Sequence, residues 1–488
     1  MMLIALVAVP AAAGIVAFFI KQNRLRWGLL LLTSSVHLLL TSMIRLSPQQ
    51  PLLRGWLFLD AAGYLFLGIT SLLFFAVSIY GTKFIDKNRH RIDRIFTSCL
   101  LFFLSTMTLV TLSHSFDLLW VAVEATTLAS APLIYFHRHR NKHSLEATWK
   151  YLMICSVGIA LALLGTFFLS IAAAGTGGGA RDGTGMALSN LLQNASSLNA
   201  DWLKAAFLFL VAGYGTKVGL APMHTWLPDA HSESPSMVSA LLSGALLNCS
   251  FLAILRGYQV CVAAGQGAFA QEVLIAFGLM SMGVAAVFII RQSDYKRLLA
   301  YSSVEHMGIL SLSVGIGGKA MFGGMLHAIN HSMTKGMLFL VSGNILAAYG
   351  TKHVKLISGM FKVLPASGVL WIAGLLAITG SPPFGSFISE FIILKEALDT
   401  GHIWIALCYL IFLVVIFIGM ATVMLKMVQG ATHDPQTDNN LPTTVQVESL
   451  WSIIPPAVMA IAVLLLGIHL PPFLNEHLLE AAAVLNIR

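Results

Sequence analysis

The chain has 488 residues, of which 57% are hydrophobic and only 10% are charged. Soluble domains carry about 25% charged residues, so this composition excludes a soluble protein and indicates one that crosses a membrane many times. The net charge of +8 does not indicate nucleic-acid binding, because the Lys and Arg residues lie in short segments between apolar runs. The alternation of apolar and polar residues that is typical of a transmembrane β-barrel is not seen.

Apolar runs of about 20 residues, the length that an α-helix needs to cross a bilayer, recur along the chain. We predict an all-α membrane protein with about 14 transmembrane helices. They cover 2–20, 27–46, 57–80, 96–113, 116–136, 150–174, 203–225, 236–256, 270–290, 298–315, 321–348, 366–397, 403–427 and 450–470. No basic segment precedes the first run, so it is interpreted as a retained helix and not a signal peptide. Positive charges concentrate in the odd-numbered connections, which predicts that these are cytoplasmic and that both termini lie on the opposite side.

The connections and cysteines carry no recognisable cofactor site. The five cysteines show no C-x-x-C spacing, which argues against an iron–sulfur cluster, a zinc ribbon or a disulfide framework. The glycine-rich stretch near 175–200 lacks G-K-S/T and is predicted to be a linker. The segment HRHRNKH (137–143) is interpreted as a cytoplasmic anchor, since its basic residues would repel a metal ion. Residues 429–449 are predicted to form a polar loop, and we expect no long amphipathic extension after the last helix.

The seventh predicted helix carries Lys217 inside its apolar run and breaks at Pro222. A charge near the bilayer centre costs about 3 kcal/mol, and a helix break at membrane depth is tolerated where protein or water replaces the lost hydrogen bond. The two features together predict an ion path, and the alternative is a snorkelling lysine in a kinked helix. The segment after the break (224–234, beginning with His224) is predicted to be a cytoplasmic loop. Asp229 and Glu233 would lie there in a solvated turn, in preference to a cation-attracting mouth.

The twelfth predicted helix is also interrupted, at Pro382-Pro383, and Glu390 follows the interruption by about two turns. Two broken helices at corresponding places in two halves indicate an inverted-repeat transporter with a pathway near the membrane midplane. Five helices separate the breaks, which gives the two repeats opposite topology. Lys395 is expected nearer the membrane surface, where snorkelling is the favoured interpretation.

Glu124 lies near the middle of the fifth predicted helix. Lys217 is its candidate partner, because pairing the two charges lowers the cost of burying each. The alternative is a protonated glutamic acid that hydrogen-bonds a hydroxyl such as that of Thr126 or Thr127.

The eleventh predicted helix places His327, His331 and Lys335 at i, i+4 and i+8, on one face and about 12 Å from end to end. The histidine spacing matches a zinc site, but no Glu or Cys accompanies the pair and the lysine disfavours a metal, so no metal is predicted. The row suits proton hopping, with interhelical hydrogen bonding as the alternative. Glu305 and His306 follow a basic loop and are expected near an entrance to the path.

Four stretches carry a resemblance to a known family. They are KVGLAPMHTWLPDAHSESPSMVSALLSG (217–244), DYKRLLAYSSVEHMGIL (294–310), the run from His327 to Asn344, and SPPFGSFISEF (381–391). They resemble the antiporter-like membrane subunits of respiratory complex I and the Mrp-type cation/proton antiporters. YSSVEHMGIL and NHSMTKGMLFLVSGNIL are most similar to the hydrogenase-4 component F family of group 4 membrane-bound [NiFe] hydrogenases.

The resemblance implies 14 core helices with two inverted five-helix repeats, here 96–256 and 270–428, flanked by helices in 1–95 and 450–488. By matched motif, Glu124 resembles the family's fifth-helix glutamate and Lys217 its seventh-helix lysine. Glu390 resembles the twelfth-helix acid, and Lys335 an eleventh-helix lysine of some members. Many relatives have an eighth-helix lysine where this chain has Asn248, which cannot carry a proton as a lysine does. His327, His331 and Lys335 would then take over that step.

The resemblance implies a proton-translocating subunit in a bacterial or archaeal cytoplasmic membrane, driven by electron transfer elsewhere in a complex. Its expected partners are other membrane subunits, with [NiFe] and iron–sulfur subunits in a peripheral arm. The chain alone should hold no cofactor and perform no redox chemistry. The rival interpretations are a stand-alone Mrp-type antiporter moving H⁺ or Na⁺, a non-conducting membrane scaffold, and a membrane partner in inorganic carbon uptake.

Overall fold

The computed structural model describes residues 1–46, 50–87, 94–135, 142–174, 185–429 and 447–485. Most of the predicted 429–449 loop, most of the HRHRNKH segment and the linker up to residue 184 lie outside these ranges. The described end of that linker is partly ordered, since it contains a short helix in which Leu188 and Leu191 are buried.

The described residues are almost entirely helical, and every predicted transmembrane run coincides with a helix or a pair of helices. The helices are α1 Met2–Phe19, α2 Asn23–Met43, α3 Ala61–Lys87, α4 Arg94–Leu112, α5 Phe116–Ile134, α6 Lys142–Ala173, α7 Leu188–Gln193, α8 Ala200–Val218, α9 Trp226–Glu233, α10 Ser236–Leu241, α11 Leu247–Ala263, α12 Gly267–Ile289, α13 Tyr295–Ile316, α14 Lys319–Tyr349, α15 Met360–Val363, α16 Pro365–Ile378, α17 Gly385–Asp399, α18 Ile403–Val428, α19 Leu450–Ile468 and α20 Pro472–Ala483. Eleven spans among the described residues are long and apolar enough to cross a membrane.

The tenth, eleventh and twelfth predicted helices are not among those eleven. The tenth and eleventh, α13 and α14, have 22 and 31 residues and are therefore long enough, but polar residues make them less apolar than the others. The twelfth is divided into α16 and α17, of 14 and 15 residues. These three helices carry Glu305, His306, His327, His331, Lys335 and Glu390, which are described below.

The seventh helix breaks where the sequence predicts. α8 ends at Val218, Gly219 takes a left-handed conformation with φ of 84°, and the Ala221–Pro222 peptide bond is cis. The prediction of a loop after the break is wrong, because a short 3₁₀ turn leads directly into α9. Helix α9 forms because its apolar residues, including Trp226, are buried against the neighbouring helices.

The twelfth helix is interrupted between Ile378 and Gly385, and the Pro382–Pro383 bond is also cis. The eighth helix contains a π-helical turn, Leu242–Leu246, between α10 and α11. All residues of the apolar window within Ser236–Ala263 are buried, so this helix lies at the centre of the protein. π turns of this kind occur frequently at functional sites.

The helix packing repeats between the two halves. α6 packs against α8 and α4 against α5 in the first half, while α14 packs against α17 and α12 against α13 in the second. Small residues permit the first contact, since a Cβ at Gly213 of α8 would lie 2.4 Å from the backbone nitrogen of Ala162 in α6. The fold prediction is therefore confirmed, whereas the exact repeat boundaries of 96–256 and 270–428 stay a prediction.

Candidate functional site

Lys217 lies in the last turn of α8, immediately before the break, and is fully buried. Its ammonium group donates hydrogen bonds to the Thr127 hydroxyl at 3.0 Å and to the Tyr151 hydroxyl at 2.5 Å. The ammonium nitrogen also lies 4.4 Å from the centroid of the Tyr151 ring, and the Tyr151 hydroxyl is 2.5 Å from that of Ser130. The lysine therefore points into protein and does not snorkel.

Glu124 is half-buried on α5, at the outer surface of the helix bundle. Its carboxylate accepts hydrogen bonds from Thr127 at 3.3 Å and from the exposed Ser156 of α6 at 3.0 Å. The prediction of a direct Glu124–Lys217 ion pair is wrong. The Thr127 hydroxyl lies between the two charges, donating to the carboxylate and accepting from the ammonium group, because it is one helical turn from Glu124 and faces α8. The hydroxyl partner considered as an alternative is thus present together with the lysine.

Asn248, at the start of α11, joins the eighth helix to α14. Its amide nitrogen donates to the Gly244 carbonyl at 3.2 Å, within the π turn, and to the Ser332 hydroxyl at 2.6 Å. Its amide oxygen is buried and has no hydrogen-bond partner among the described residues. A buried, unpaired acceptor of this kind is a place where a water molecule would be held.

Lys335 is fully buried on α14. Its ammonium group donates to the Leu299 carbonyl at 2.7 Å and to the Ser302 hydroxyl, both on α13. The predicted row on α14 therefore does not connect along its own helix. His331 is buried with neither ring nitrogen bonded among the described residues, and its ring centroid is 5.0 Å from that of His306.

The prediction that Glu305 and His306 lie near an entrance is wrong. Helix α13 begins at Tyr295, so His306 is about 16 Å along it, near the middle of a 30 Å bilayer core. Both residues are 1% exposed, and Glu305 has a carboxylate oxygen without a hydrogen-bond partner among the described residues.

His306 and His327 together connect four helices. Its Nδ1 is 2.8 Å from Nε2 of His327 on α14, and its Nε2 is 3.1 Å from the Ile378 carbonyl at the end of α16. Nδ1 of His327 is 3.0 Å from the Ser389 hydroxyl on α17. Sequence spacing within α14 pairs His327 with His331, whereas the structure pairs it with His306.

The hydrogen bonds of this pair restrict where its protons can be. The Ile378 carbonyl can only accept, so the proton of His306 is on Nε2 and its Nδ1 accepts from His327. The Ser389 hydroxyl has one proton and two acceptors in reach, the Ser386 carbonyl at 2.8 Å and Nδ1 of His327. When Ser389 donates to the carbonyl, His327 must donate from Nδ1 and hold a second proton. The pair thus has two hydrogen-bonded states that differ by one proton.

Glu390 lies in α17, after the break, and is buried beside Gly380, whose φ is 60°. An added Cβ at Gly380 would lie 1.9 Å from a Glu390 carboxylate oxygen, so only glycine allows this approach. One ligand-type atom from each of His306, His327 and Glu390 lies within 4.8 Å of the other two. The Oε1 atom of Glu390 has no hydrogen-bond partner among the described residues.

The two remaining candidates lie apart from these clusters. Lys395 is exposed on α17. His224 is 6% exposed in the turn before α9, with its ring centroid 6.2 Å from that of Tyr301. Among the described residues, neither hydrogen-bonds Lys217 or the histidine pair.

Helix α9 is held by ion pairs, so the prediction of a solvated turn for Asp229 and Glu233 is wrong. Asp229 pairs with Arg297 of α13 and, at 3.0 Å, with Lys150 of α6. Glu233 pairs with Lys352 at 2.8 Å. These ion pairs join α9 to three other segments, which makes α9 a structural bridge between the halves.

Sequence reasoning missed several residues of the site. Tyr151 and Ser389 belong to common residue types whose partners lie on other helices, and no local signal distinguishes them. His231 of α9 is fully buried, with its ring stacked 4.9 Å from Phe339, one turn beyond Lys335. Its position within the conspicuous stretch WLPDAH was the signal that could have found it.

A second cluster that sequence reasoning missed joins α11 to the start of α3. Arg256 of α11 is 2% exposed and donates to both carboxylate oxygens of Asp60, at 2.5 and 2.7 Å. Burial alone raises the pKa of Asp60, but the Arg256 charge and its hydrogen bonds hold that pKa well below its usual range. His114 lies 3.9 Å from the same carboxylate. This bidentate pair anchors the eighth helix to the start of α3.

The chain is similar to known proteins over most of its length. Residues 113–419 match the family described as NADH:quinone oxidoreductase/Mrp antiporter, TM. A hydrogenase-4 component F homolog of Methylacidiphilum infernorum (isolate V4) is 36% identical over 438 residues, 88% of each chain. A Na(+)/H(+) antiporter subunit A1 of Staphylococcus haemolyticus (strain JCSC1435) is 27% identical over 447 residues, which is 87% of this chain and 54% of that protein.

Solved structures share the fold. A chain of the Mrp complex from Dietzia sp. DQ12-45-1b superposes with a TM-score of 0.86 at 20% identity, covering 99% of this chain and 97% of that one. A chain of respiratory complex I from Thermus thermophilus with bound NADH gives a TM-score of 0.80 at 21% identity, covering 99% of both.

Proposed function

The chain belongs to the NADH:quinone oxidoreductase/Mrp antiporter membrane family, and from that premise we propose that it moves protons across the membrane as one subunit of a redox complex of hydrogenase-4 type. In this proposal the membrane is a bacterial or archaeal cytoplasmic membrane. Other membrane subunits adjoin the chain, and [NiFe] and iron–sulfur subunits in a peripheral arm perform the electron transfer. The chain itself contributes no redox cofactor.

The observation that carries the proposal is the Glu124–Thr127–Lys217 arrangement. A fully buried ammonium group is linked through one hydroxyl to a carboxylate that reaches the outer surface of the bundle. A neighbouring subunit can therefore act on Glu124 without entering the interior. The two hydrogen bonds limit the charge separation to about 6 Å, where unit charges interact by roughly 3 kcal/mol at an effective dielectric near 20.

The proposed mechanism uses this coupling as a switch. When a charge on a partner subunit draws the Glu124 carboxylate away, the Lys217 ammonium group loses about 3 kcal/mol of stabilisation and releases its proton toward the centre. Water held at the unpaired Asn248 oxygen carries the proton onward, so an amide at this position orders the path without storing a proton. Lys335 and the His306–His327 pair receive it, and Glu390 at the twelfth-helix break delivers it to the far side.

A second candidate function is cation/proton antiport without redox partners. The similarity to a Na(+)/H(+) antiporter subunit A1, over 87% of this chain, favours it. The two functions share the buried charges but differ in their partners and in their energy source, so the composition of the native complex separates them.

The first experiment isolates the native complex through a tag on this chain and identifies the co-purifying proteins by mass spectrometry. A [NiFe] large subunit and iron–sulfur proteins are the expected partners. The complex in inverted membrane vesicles is then supplied with reduced methyl viologen, and hydrogen evolution is measured together with proton uptake by a fluorescent ΔpH dye.

Lys217→Ala should reduce proton uptake per hydrogen evolved at least about tenfold, a change equivalent to about 1.4 kcal/mol. Lys204→Ala is the matched control, because Lys204 lies near the start of the same helix and its ammonium group faces the Phe269 ring 5.8 Å away. Undiminished proton uptake in the Lys217 variant would refute the proposal. Recovery of the chain with antiporter subunits alone, and sodium-driven proton movement without an electron donor, would favour the second candidate.

A further inference from the structure

His306, His327 and Glu390 bring together the atoms of a transition-metal site. They come from α13, α14 and α17, all three side chains are buried, and one ligand-type atom of each lies within 4.8 Å of the other two. The sequence of α14 by itself disfavours a metal, because no acid accompanies its two histidines. The twelfth-helix break removes that objection, because it places Glu390 beside His327.

The atoms that would not bind a metal are already engaged. Nε2 of His306 faces the Ile378 carbonyl at 3.1 Å, and Nδ1 of His327 faces the Ser389 hydroxyl at 3.0 Å. Metal-bound histidines in proteins almost always have their other ring nitrogen hydrogen-bonded to a carbonyl, a carboxylate or water, which fixes the tautomer and the ring orientation. Here that arrangement leaves Nδ1 of His306 and Nε2 of His327, which face each other at 2.8 Å, as the nitrogens that a metal could bind. The unpartnered Oε1 of Glu390 is the third donor.

The donor set selects the metal. Two imidazole nitrogens with one carboxylate suit zinc and other late first-row ions, whereas Na⁺, Mg²⁺ and Ca²⁺ prefer oxygen ligands. Ligands of tetrahedral zinc at about 2.05 Å are about 3.3 Å apart, so the 2.8 Å contact between the imidazole nitrogens must open by about 0.5 Å. Lys335 opposes a cation but lies two helical turns from His327, about 12 Å along the axis.

We propose that His306, His327 and Glu390 bind one zinc ion and that the bound ion inhibits the subunit. Zinc occupies the lone pairs between which the shared proton of the two histidines lies. On binding, that proton moves to Nδ1 of His327 when the pair is neutral, and it is released to solvent when Nδ1 already carries a proton. The binding site stands on the geometry alone, while its inhibitory effect rests on the proposed function. Direct zinc binding is therefore measured separately from transport.

The binding experiment uses the full chain in its native complex, purified with a histidine-free tag. In the parent chain His137, His139 and His143 are replaced by Gln, so that the segment HRHRNKH contributes no imidazole. The complex is incubated with zinc sulfate and desalted, and the bound zinc per complex is measured. The zinc held by the proposed site is the difference between the parent and His327→Gln. X-ray absorption at the zinc edge should show two imidazole nitrogens and carboxylate oxygen at about 2.0–2.2 Å.

We expect one zinc per chain to be lost in both His327→Gln and Glu390→Gln. His331→Gln should retain it, because the His331 ring is 5.0 Å from that of His306 but belongs to no hydrogen bond of the site. Equal zinc content in the parent and the His327 variant would overturn the proposal. If the variants do not assemble, the X-ray absorption spectrum of the parent complex decides. A spectrum that does not show two imidazole nitrogens bound to zinc would overturn the proposal as well.

The transport readout tests the inhibitory effect. Zinc should reduce proton uptake in the parent by at least about tenfold at saturation. Bound zinc with unchanged proton uptake would overturn inhibition and leave the proposed function intact. Stoichiometric zinc in a complex that never moves protons would instead confirm the site and refute the proposed function.

Discussion

The Thr127 hydroxyl is the only described side-chain group that hydrogen-bonds both Glu124 and Lys217, so the coupling of these charges depends on a neutral residue. Direct contact would hold the lysine permanently in one state. A bridging hydroxyl transmits the charge yet lets the carboxylate move, because its rotation breaks one hydrogen bond at a time at a net cost of about 1 kcal/mol.

Thr127→Val should uncouple proton uptake from electron transfer while leaving both charges in place. Valine has nearly the shape of threonine but cannot bridge, so the buried ammonium group loses one acceptor and Glu124 loses one donor. We expect proton uptake per electron pair to fall about tenfold, which corresponds to about 1.4 kcal/mol. Thr126→Val is the control, because the Thr126 hydroxyl is equally buried but donates only to the Val123 carbonyl. Equal losses in the two variants would show that the effect is not specific to the bridge.

Tyr151→Phe should weaken transport through Lys217 without removing the aromatic ring beside it. A hydrogen bond to a charged group contributes about 1.5–3 kcal/mol, so proton uptake should fall at least about tenfold. Tyr214→Phe is the matched variant, since Tyr214 lies on the same helix as Lys217, is fully buried and has a hydroxyl without a partner among the described residues. Unchanged uptake in the Tyr151 variant would remove its hydroxyl from the mechanism.

The amino-acid sequence predicts the helices and both breaks, because 20-residue apolar runs and Pro222 or Pro382-Pro383 are local signals. It also identifies Lys217 and Glu390, since a charge in an apolar run stands out against its neighbours. The partners of these residues are not local. His306 and His327 are 21 residues apart on different helices, and no periodicity within one helix indicates which faces meet.

The errors have the same physical origin. The basic loop before Glu305 and His306 indicates an entrance, but the distance along α13 places them at mid-membrane. The row on α14 followed from helical spacing, which shows that side chains share a face but not what that face contacts.

Lys335→Ala should abolish coupled proton uptake, because Asn248 cannot carry a proton and Lys335 is a fully buried amine on α14, the helix that Asn248 contacts through Ser332. Its ammonium group donates to two acceptors on α13, the Leu299 carbonyl and the Ser302 hydroxyl, and alanine would remove both hydrogen bonds. Lys319→Ala is the control, since Lys319 is the exposed first residue of the same helix. Hydrogen evolution and proton uptake are measured in the same vesicles, and normal uptake in the Lys335 variant would contradict its role.

Asp60→Asn should destabilise the chain without acting on the proton path. The variant leaves the Arg256 guanidinium buried with a neutral partner, and breaking a buried pair in this way typically costs about 3–5 kcal/mol. Asp201→Asn is the control, because Asp201 is an exposed acid in the first turn of α8. The thermal midpoint of the purified complex should fall in the Asp60 variant and stay unchanged in the control.

The pH dependence of this effect follows from the lowered pKa of Asp60, which burial opposes and Arg256 maintains. A carboxyl group whose pKa is lower in the folded chain contributes its full stability above the unfolded value, about 3.9, and loses it as the pH falls toward the folded value. The difference in midpoint between wild type and Asp60→Asn should therefore be constant from about pH 5 to pH 8, and shrink below about pH 4. A difference that shrinks already between pH 7 and pH 5 would show that Asp60 is not held ionised by Arg256.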